Sequence, residues 1–332
     1  LDRALTNVKW ALAYPISRVS HLTRGRSDHA PLMVKCAPRM GSPRSFRFLN
    51  VWARHPGFLP MVQEVWKREV AGVGMNRFFN KLVKVKEELR IWNRETFGDI
   101  PTRVKIAESY YRLREAEYDR SRDAVSRSLL HEARATYNRE LAIECEFWKQ
   151  KAALRWLRDG DANTSFFHSV VRQRRNSNFI ARIKDAEGRW LDAAQDIKTS
   201  ATEFYADLFT SESTVRGGFP DLPFAIPSVG SVQNDKIREV PSAEEIREVV
   251  FSMDLNSAPG PDGFGVGFYQ KCWEIIKDDL VESIHDFFRG VSQPQGWSSS
   301  VIVLVPKVEG ACQWRDFRPI SLCNVNSKII SK

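Results

Sequence analysis

Apolar positions fall into three regimes along the chain. Over residues 1–50 they form short runs. "HAPLMVKC" and "RSFRFLNVW" read as strands, separated by the turn-rich "APRMGSP". In the second run Phe46, Phe48 and Val51 sit to one side of polar Arg47. From residue 60 to 160 the period becomes that of a helix. Phe78, Leu82, Val85, Leu89 and Trp92 recur at spacings of four and three, one apolar stripe. "FGDIP" interrupts it, with Gly98 as a stop and Pro101 near the next start. A second stripe runs through Leu130, Ala133, Tyr137, Leu141, Cys145, Trp148, Ala152 and Trp156. The two striped helices are expected to pack as an antiparallel pair. Between them, "SYYRLREAEYDRSRD" is charged on most faces, which predicts exposure to solvent or contact with an anionic partner.

The second stripe ends in "WLRDGDANTSFFHSVVRQRRNSNFI". Gly160 suits the position just past a helix, and Asp161 or Asn163 can start the next turn. Asp159, Asp161 and His168 are conceivable metal ligands, but they lack one-face spacing and capping accounts for the first two. "RQRR" at 172–175 is a small basic patch. Residues 179–332 are mixed. "FIARIKDAEGRWL" reads as a hairpin turning at Asp185 to Gly188. Ile197, Ala201, Phe204 and Leu208 mark a helix. Ser242 with Glu245 forms a capping box leading into Ile246, Val249, Val250 and Met253. "NSAPGPDGFG" is a Pro/Gly loop, and "FYQKCWEIIKDDLVESIHDFFRG" is helical. "VIVLV" is expected to be a buried strand. "DFRPISLCNVNSKIISK" holds a strand and the start of a helix. The apolar pattern is still running at the last residue, so a domain is expected to continue.

Composition narrows the class. The chain has 332 residues, enough for two or three domains. No apolar run approaches the roughly 18 residues of a membrane span. No secretory signal is visible, and the first residue is not Met, which suggests a fragment. Cysteines 36, 145, 272, 312 and 323 are scattered, odd in number and never CxxC. Zinc knuckles and a disulfide framework are therefore not expected, and the compartment is expected to be reducing, nucleus or cytoplasm. The net charge of +9 is uneven: +8 over residues 1–60, +7 over 61–180 and −6 over 181–332. The basic two-thirds can lie against a phosphate backbone, or can simply be the solvated face of long helices.

The order of these motifs resembles the polyprotein of plant LINE-type (non-LTR) retrotransposons. "LDRALTN…HLTRGRSDHAPLMV" is similar to the closing motifs of an apurinic-type endonuclease. "KQKAALRWLRDGDANTSFFHSVVRQRRNSN" is similar to the connector of that family. "LNSAPGPDGFGVGFYQKCW" and "VIVLVPKVEGACQWRDFRPISLCNVNSKIISK" are similar to the first reverse-transcriptase motifs. The resemblance implies an α+β fold, mostly helical. It divides the chain into a C-terminal piece of an endonuclease/exonuclease/phosphatase-type sandwich at 1–55 and a long antiparallel helical connector at 56–178. A hairpin-plus-helix connector at 179–240 and reverse-transcriptase fingers at 241–332 complete it.

The resemblance also implies roles. Asp28 matches an acidic residue that approaches a Mg²⁺ site, and His29 the residue at the scissile phosphate. Asp2 matches the carboxylate that orients that histidine. Such a set is chemically coherent, because phosphodiester hydrolysis uses a metal to neutralise developing charge and a group to activate water. A loop end before a strand is the plainer reading of Asp28 and His29. In the fingers, Lys307, Arg318 and, less well, Arg315 match cations that contact a nucleotide triphosphate or the template. Arg318 can instead pair with Asp316 or Asp262, and Asp262 can simply shape its loop. The family's metal-binding Glu and palm aspartates have no counterpart in these residues, so catalysis by this stretch alone is not expected. The partners implied are DNA and RNA, with no membrane. The alternatives are a non-catalytic nucleic-acid-binding protein and a relic without activity.

Overall fold

The computed structural model describes residues 2–7, 10, 13–14, 16–24, 28–37, 45–152, 170–171, 173–174, 178–210 and 230–332. Its described residues are mostly helical, with small antiparallel sheets of two strands each. Two compact units emerge. One combines Leu1–Ser45 with Ser169–Phe179, and the other combines Phe46–His168 with Ile180–Lys332.

In the first unit β1 (Ile16–His21) pairs antiparallel with β2 (Leu32–Ala37), Ser17 opposite Cys36 and His21 opposite Leu32. β2 is the strand expected in "HAPLMVKC". Its partner is β1 and not "RSFRFLNVW". That second run is extended at 45–49 and then turns into a 3-10 helix at Asn50–Arg54. Phe46, Phe48, Val51 and Trp52 are buried in the helical core of the second unit. Alternation of apolar and polar positions also suits a single extended segment lying on helices, which is why the pattern misled.

The second unit is built around α1 (Phe58–Lys67) and α2 (Gly74–Trp92). All five residues of the first stripe are buried. α2 packs against α1 and against α9 (Trp273–Phe288), far along the sequence. It does not pair with the second striped helix. That helix, α4 (Ala124–Ala152), forms an antiparallel hairpin with α3 (Ile100–Ser121). The polar residues flanking the first stripe explain the choice. The Asp279 carboxylate on α9 accepts from Arg77 Nε, Lys81 Nζ and Trp66 Nε1, each at 2.8 Å. Arg77 also pairs with Glu282. Burial pushes the Asp279 carboxyl up, but Lys81, Trp66 and Arg77 outweigh that and hold it below the usual range. α3 and α4 have smaller faces to match: Val104 and Ala107 on one and Ala133 on the other are buried, and Tyr111 stacks on Tyr137 at 5.9 Å. The charged "SYYRLREAEYDRSRD" is therefore part of a helix and its first loop, with Leu113 exposed.

The punctuation signals hold at the described residues, while Gly160, Asp161 and Asn163 lie outside them. Gly98 takes φ +74 after a wide π turn at Asn93–Phe97, and Asp99 caps α3 by accepting from Thr102 N–H at 3.1 Å. The hairpin of β3 (Ile183–Lys184) and β4 (Trp190–Leu191) turns where expected, with Gly188 N–H donating to Asp185 O. α5 (Ala194–Phe209) buries Tyr205, flanked by Ile197 and Ala201, and leaves Phe204 and Leu208 exposed. A short α6 (Ser231–Arg238) precedes α7 (Ala243–Ser252), which is capped by Ser242 and buries Ile246 and Val250. The next helical stretch breaks at Cys272 into α8 (Val266–Lys271) and α9.

β5 (Ser300–Pro306) pairs antiparallel with β6 (Phe317–Cys323), and α10 (Val325–Ile330) follows. The expected buried strand is not buried: Val301 is 45% and Ile302 40% exposed. The continuous apolar run lies in a two-stranded ribbon, so burial comes only where other elements reach it. Near the turn of the ribbon Trp314 and Phe317 pack with Ile183 and Tyr205 in a second, smaller core. At the other end Asn324 Nδ2 donates to Gly296 O at 3.1 Å and Trp297 O at 3.2 Å, joining the residues on either side of the ribbon.

Asp279→Ala should cost about 2–3 kcal/mol, because it leaves the half-buried Lys81 ammonium and the Trp66 indole N–H without their acceptor, while Arg77 keeps only Glu282. Chemical denaturation of the two proteins side by side measures it, and a loss under about 0.5 kcal/mol would contradict the assigned role of this carboxylate.

Candidate functional site

The β1–β2 hairpin brings both ends of its loop to residue 2. Asp2 Oδ2 accepts from the Ala30 backbone N–H at 2.9 Å, and its Oδ1 lies 2.8 Å from His29 Nδ1. His21, the last residue of β1, places Nε2 at 3.0 Å from the Asp2 backbone oxygen. The Ala30 amide and then His29 hold the Asp2 carboxyl below its ordinary value. An ionised carboxylate only accepts, so His29 Nδ1 carries the hydrogen. In the neutral ring, Nε2 then presents its lone pair. The His29 side chain is 70% exposed, so the ring is within reach of a large substrate. His21 was not singled out in the sequence. Only the hairpin register sets it beside residue 2.

Asp28 stands apart. Its side chain is 92% exposed, and its nearest oxygen is 3.9 Å from His29 Nε2. Among the described residues no three His, Cys, Asp or Glu side chains come together as a metal site. Mg²⁺ needs near-octahedral oxygen ligation, supplied by one or two carboxylates, waters and substrate phosphates. One exposed carboxylate beside an imidazole does not make a resident Mg²⁺ site. Asp159, Asp161 and His168 lie outside the described residues, as do Arg172 and Arg175 of the "RQRR" patch and Ser27.

In the second unit the β5–β6 ribbon gathers the three expected cations near its turn. Lys307 N–H donates to Asp316 O at 2.8 Å, and its Nζ donates to Arg315 O at 2.7 Å. Arg318 is opposite Val305 in the ladder. All three side chains are exposed. Among the described residues none of them forms an ion pair, so Arg318 pairs with neither Asp316 nor Asp262. The Asp316 carboxylate accepts from the Cys312 and Gln313 amides at 3.1 and 2.9 Å, which hold it below the usual range. Asp262 Oδ1 accepts from Phe264 N–H at 3.0 Å, and its own N–H donates to Asn324 Oδ1 at 3.2 Å. Asp262 shapes the loop, and burial pushes its carboxyl up to about 6.

Nitrogen-15 shifts of the His29 ring should show the Nδ1–H form in the neutral wild type, and a shift toward Nε2–H in Asp2→Ala. An unchanged tautomer would mean the contact does not orient the ring. Because the Asp2 carboxyl titrates lower in the folded chain, the contact stabilises above the ordinary carboxylate range, near 3.8, and is lost as pH falls below it. Acid titration of the loop amide of Ala30 by NMR should therefore report a midpoint below that value, and a midpoint at or above it would refute the contact.

No family model matches the chain. It is similar to the Transposon TX1 uncharacterized 149 kDa protein of Xenopus laevis, with 22% identity over 326 aligned residues that cover 92% of this chain. The chain spans about a quarter (24%) of the length of that relative.

Proposed function

We propose that this chain is a segment of a LINE-type (non-LTR) retrotransposon polyprotein. In this reading it comprises the closing part of a Mg²⁺-dependent endonuclease, a helical connector and the fingers of an RNA-directed DNA polymerase. The observation that carries the transposon origin is the similarity to the TX1 transposon protein along nearly the whole chain. The endonuclease and polymerase assignments rest on motif resemblance. They are supported by the Asp2–His29 contact and by three exposed cations on one ribbon. Asp2 orients His29, and Nε2 of His29 faces the phosphate to be cut. Asp28, exposed beside His29, would supply one oxygen ligand if Mg²⁺ were bound there. Lys307 and Arg318 meet the phosphates of nucleotide or template, with Arg315 as the backbone support of Lys307. On its own the chain binds nucleic acid and neither cuts nor polymerises it.

A second reading, a nucleic-acid-binding protein without catalysis, shares the same surfaces and is favoured by the basic charge of residues 1–180. The test serves both. Affinity for single-stranded RNA and DNA should fall steeply with salt, and Lys307→Gln or Arg318→Gln should each reduce the salt slope by about one. No binding to either polymer at low salt would sink both readings. Supercoiled plasmid with Mg²⁺ should stay intact. A reproducible nick that His29→Ala abolishes would overturn the claim of inactivity and strengthen the endonuclease assignment.

A further inference from the structure

A second basic surface lies on the β3–β4 hairpin. Ile183 is fully buried in the smaller core. Side chains alternate along a strand, so Arg182 and Lys184 fall on the opposite face. Lys184 is the ladder partner of Trp190, which brings an indole to that same face. Trp190 is 42% exposed. The Arg182 guanidinium carbon stands 4.0 Å from the centre of the indole, and Lys184 Nζ stands 5.1 Å from it.

These two cations keep their charge. Asp185 and Glu187, the acids of the turn, both pair with Arg189. Among the described residues neither Arg182 nor Lys184 forms an ion pair. A ring face orients a cation without neutralising it, and a guanidinium lying on a ring keeps its N–H edge free. The hairpin is also anchored. Lys184 N–H donates to Cys312 O at 2.8 Å, in the turn of the β5–β6 ribbon. Trp314 and Phe317 of the ribbon share the smaller core with Ile183. Arg182, Lys184 and Trp190 therefore belong to the same module as Lys307, Arg315 and Arg318.

We propose that Trp190, Arg182 and Lys184 form a binding subsite for single-stranded nucleic acid, in which a base stacks on the open part of the indole and the two cations meet the flanking phosphates. An exposed indole beside two unneutralised cations matches a chain that alternates flat rings with anions. Stacking of this kind tolerates any base, because every base has a π face. A duplex offers its phosphates but keeps its bases stacked on one another, so the indole adds nothing to duplex binding. An acidic protein face would use the two cations and leave the indole idle. The subsite rests on the nucleic-acid reading above and adds to it a stacking contact that the ribbon cations lack.

The probes are a labelled single-stranded oligothymidylate of about 16 nucleotides and a duplex of the same length, followed by anisotropy at low salt. Trp190→Ala should weaken single-strand binding about fivefold or more and leave any duplex binding unchanged. Trp190→Phe, which keeps a π face, should recover most of that loss. Arg182→Gln should weaken single-strand binding several-fold and reduce its salt slope by about one. Arg182→Gln, on the exposed side of the hairpin, keeps the test valid if Trp190→Ala does not fold. Single-strand binding that Lys307→Gln weakens, but Trp190→Ala and Arg182→Gln leave unchanged, overturns the subsite and spares the nucleic-acid reading. Equal losses for single strand and duplex in Trp190→Ala overturn base stacking and the subsite with it. Polyglutamate that competes fully with the single strand, with no loss in Trp190→Ala, overturns the subsite in favour of an acidic protein face. Absence of binding to either nucleic acid overturns both the subsite and the reading it rests on.

Discussion

The second unit depends on how closely two backbones approach. Phe46 to Asn50 lies against the loop and helix start at 260–267 with no room for a side chain on Gly263 or Gly267. A Cβ on Gly263 would stand 2.2 Å from Phe46 O, and one on Gly267 would stand 2.1 Å from Asn50 Oδ1. Gly263 also takes φ +84, a conformation that glycine adopts at little cost. Phe48 N–H donates to Gly263 O at 2.9 Å, which fixes the approach. The aromatic rings of Phe46, Phe48, Phe264 and Phe268 then meet at 4.5–5.5 Å. Residues more than two hundred positions apart become one core, and the apolar stripe of α2 packs into it.

The electrostatics follow from that packing. Where α2 meets α9, cations on one helix find carboxylates on the other, and Asp279 serves three donors. One face further round, Lys86 and Arg90 stand over the ring of Phe46, and the half-buried Asp262 carboxylate acts on Lys86. The same helix is therefore neutralised on one side and left positive on the other. Asn324, at the end of the ribbon that carries Lys307 and Arg318, ties it back to Gly296 and Trp297. The catalytic candidates of the first unit rest on a smaller device: a carboxylate held by a backbone amide, which fixes one imidazole tautomer.

Legibility tracked the range of the interaction involved. The helix stripe at Phe78 to Trp92, the stop at Gly98, the turn at Asp185 to Gly188 and the cap at Ser242 were readable, because each depends on neighbours within a few residues. The Asp2–His29 contact was reached only through resemblance to a family, since nothing local links residues 27 positions apart. Its partner His21 was missed for the same reason. The alternation at Phe46 and Phe48 was real but ambiguous, fitting a strand or an extended segment on helices.

The sequence by itself determined several helix ends, at Gly98, Pro101 and Ser242, which face of α2 is apolar, and where cations outnumber acids. Those properties are written in local propensity and period. Only the tertiary structure decided that α2 pairs with α9 and not with α4, that β2 pairs with β1, and that "VIVLV" stays half exposed. It also decided which cations are neutralised. Pairing of distant elements is settled by shape, charge and burial summed over whole faces, and no short window of sequence holds that sum.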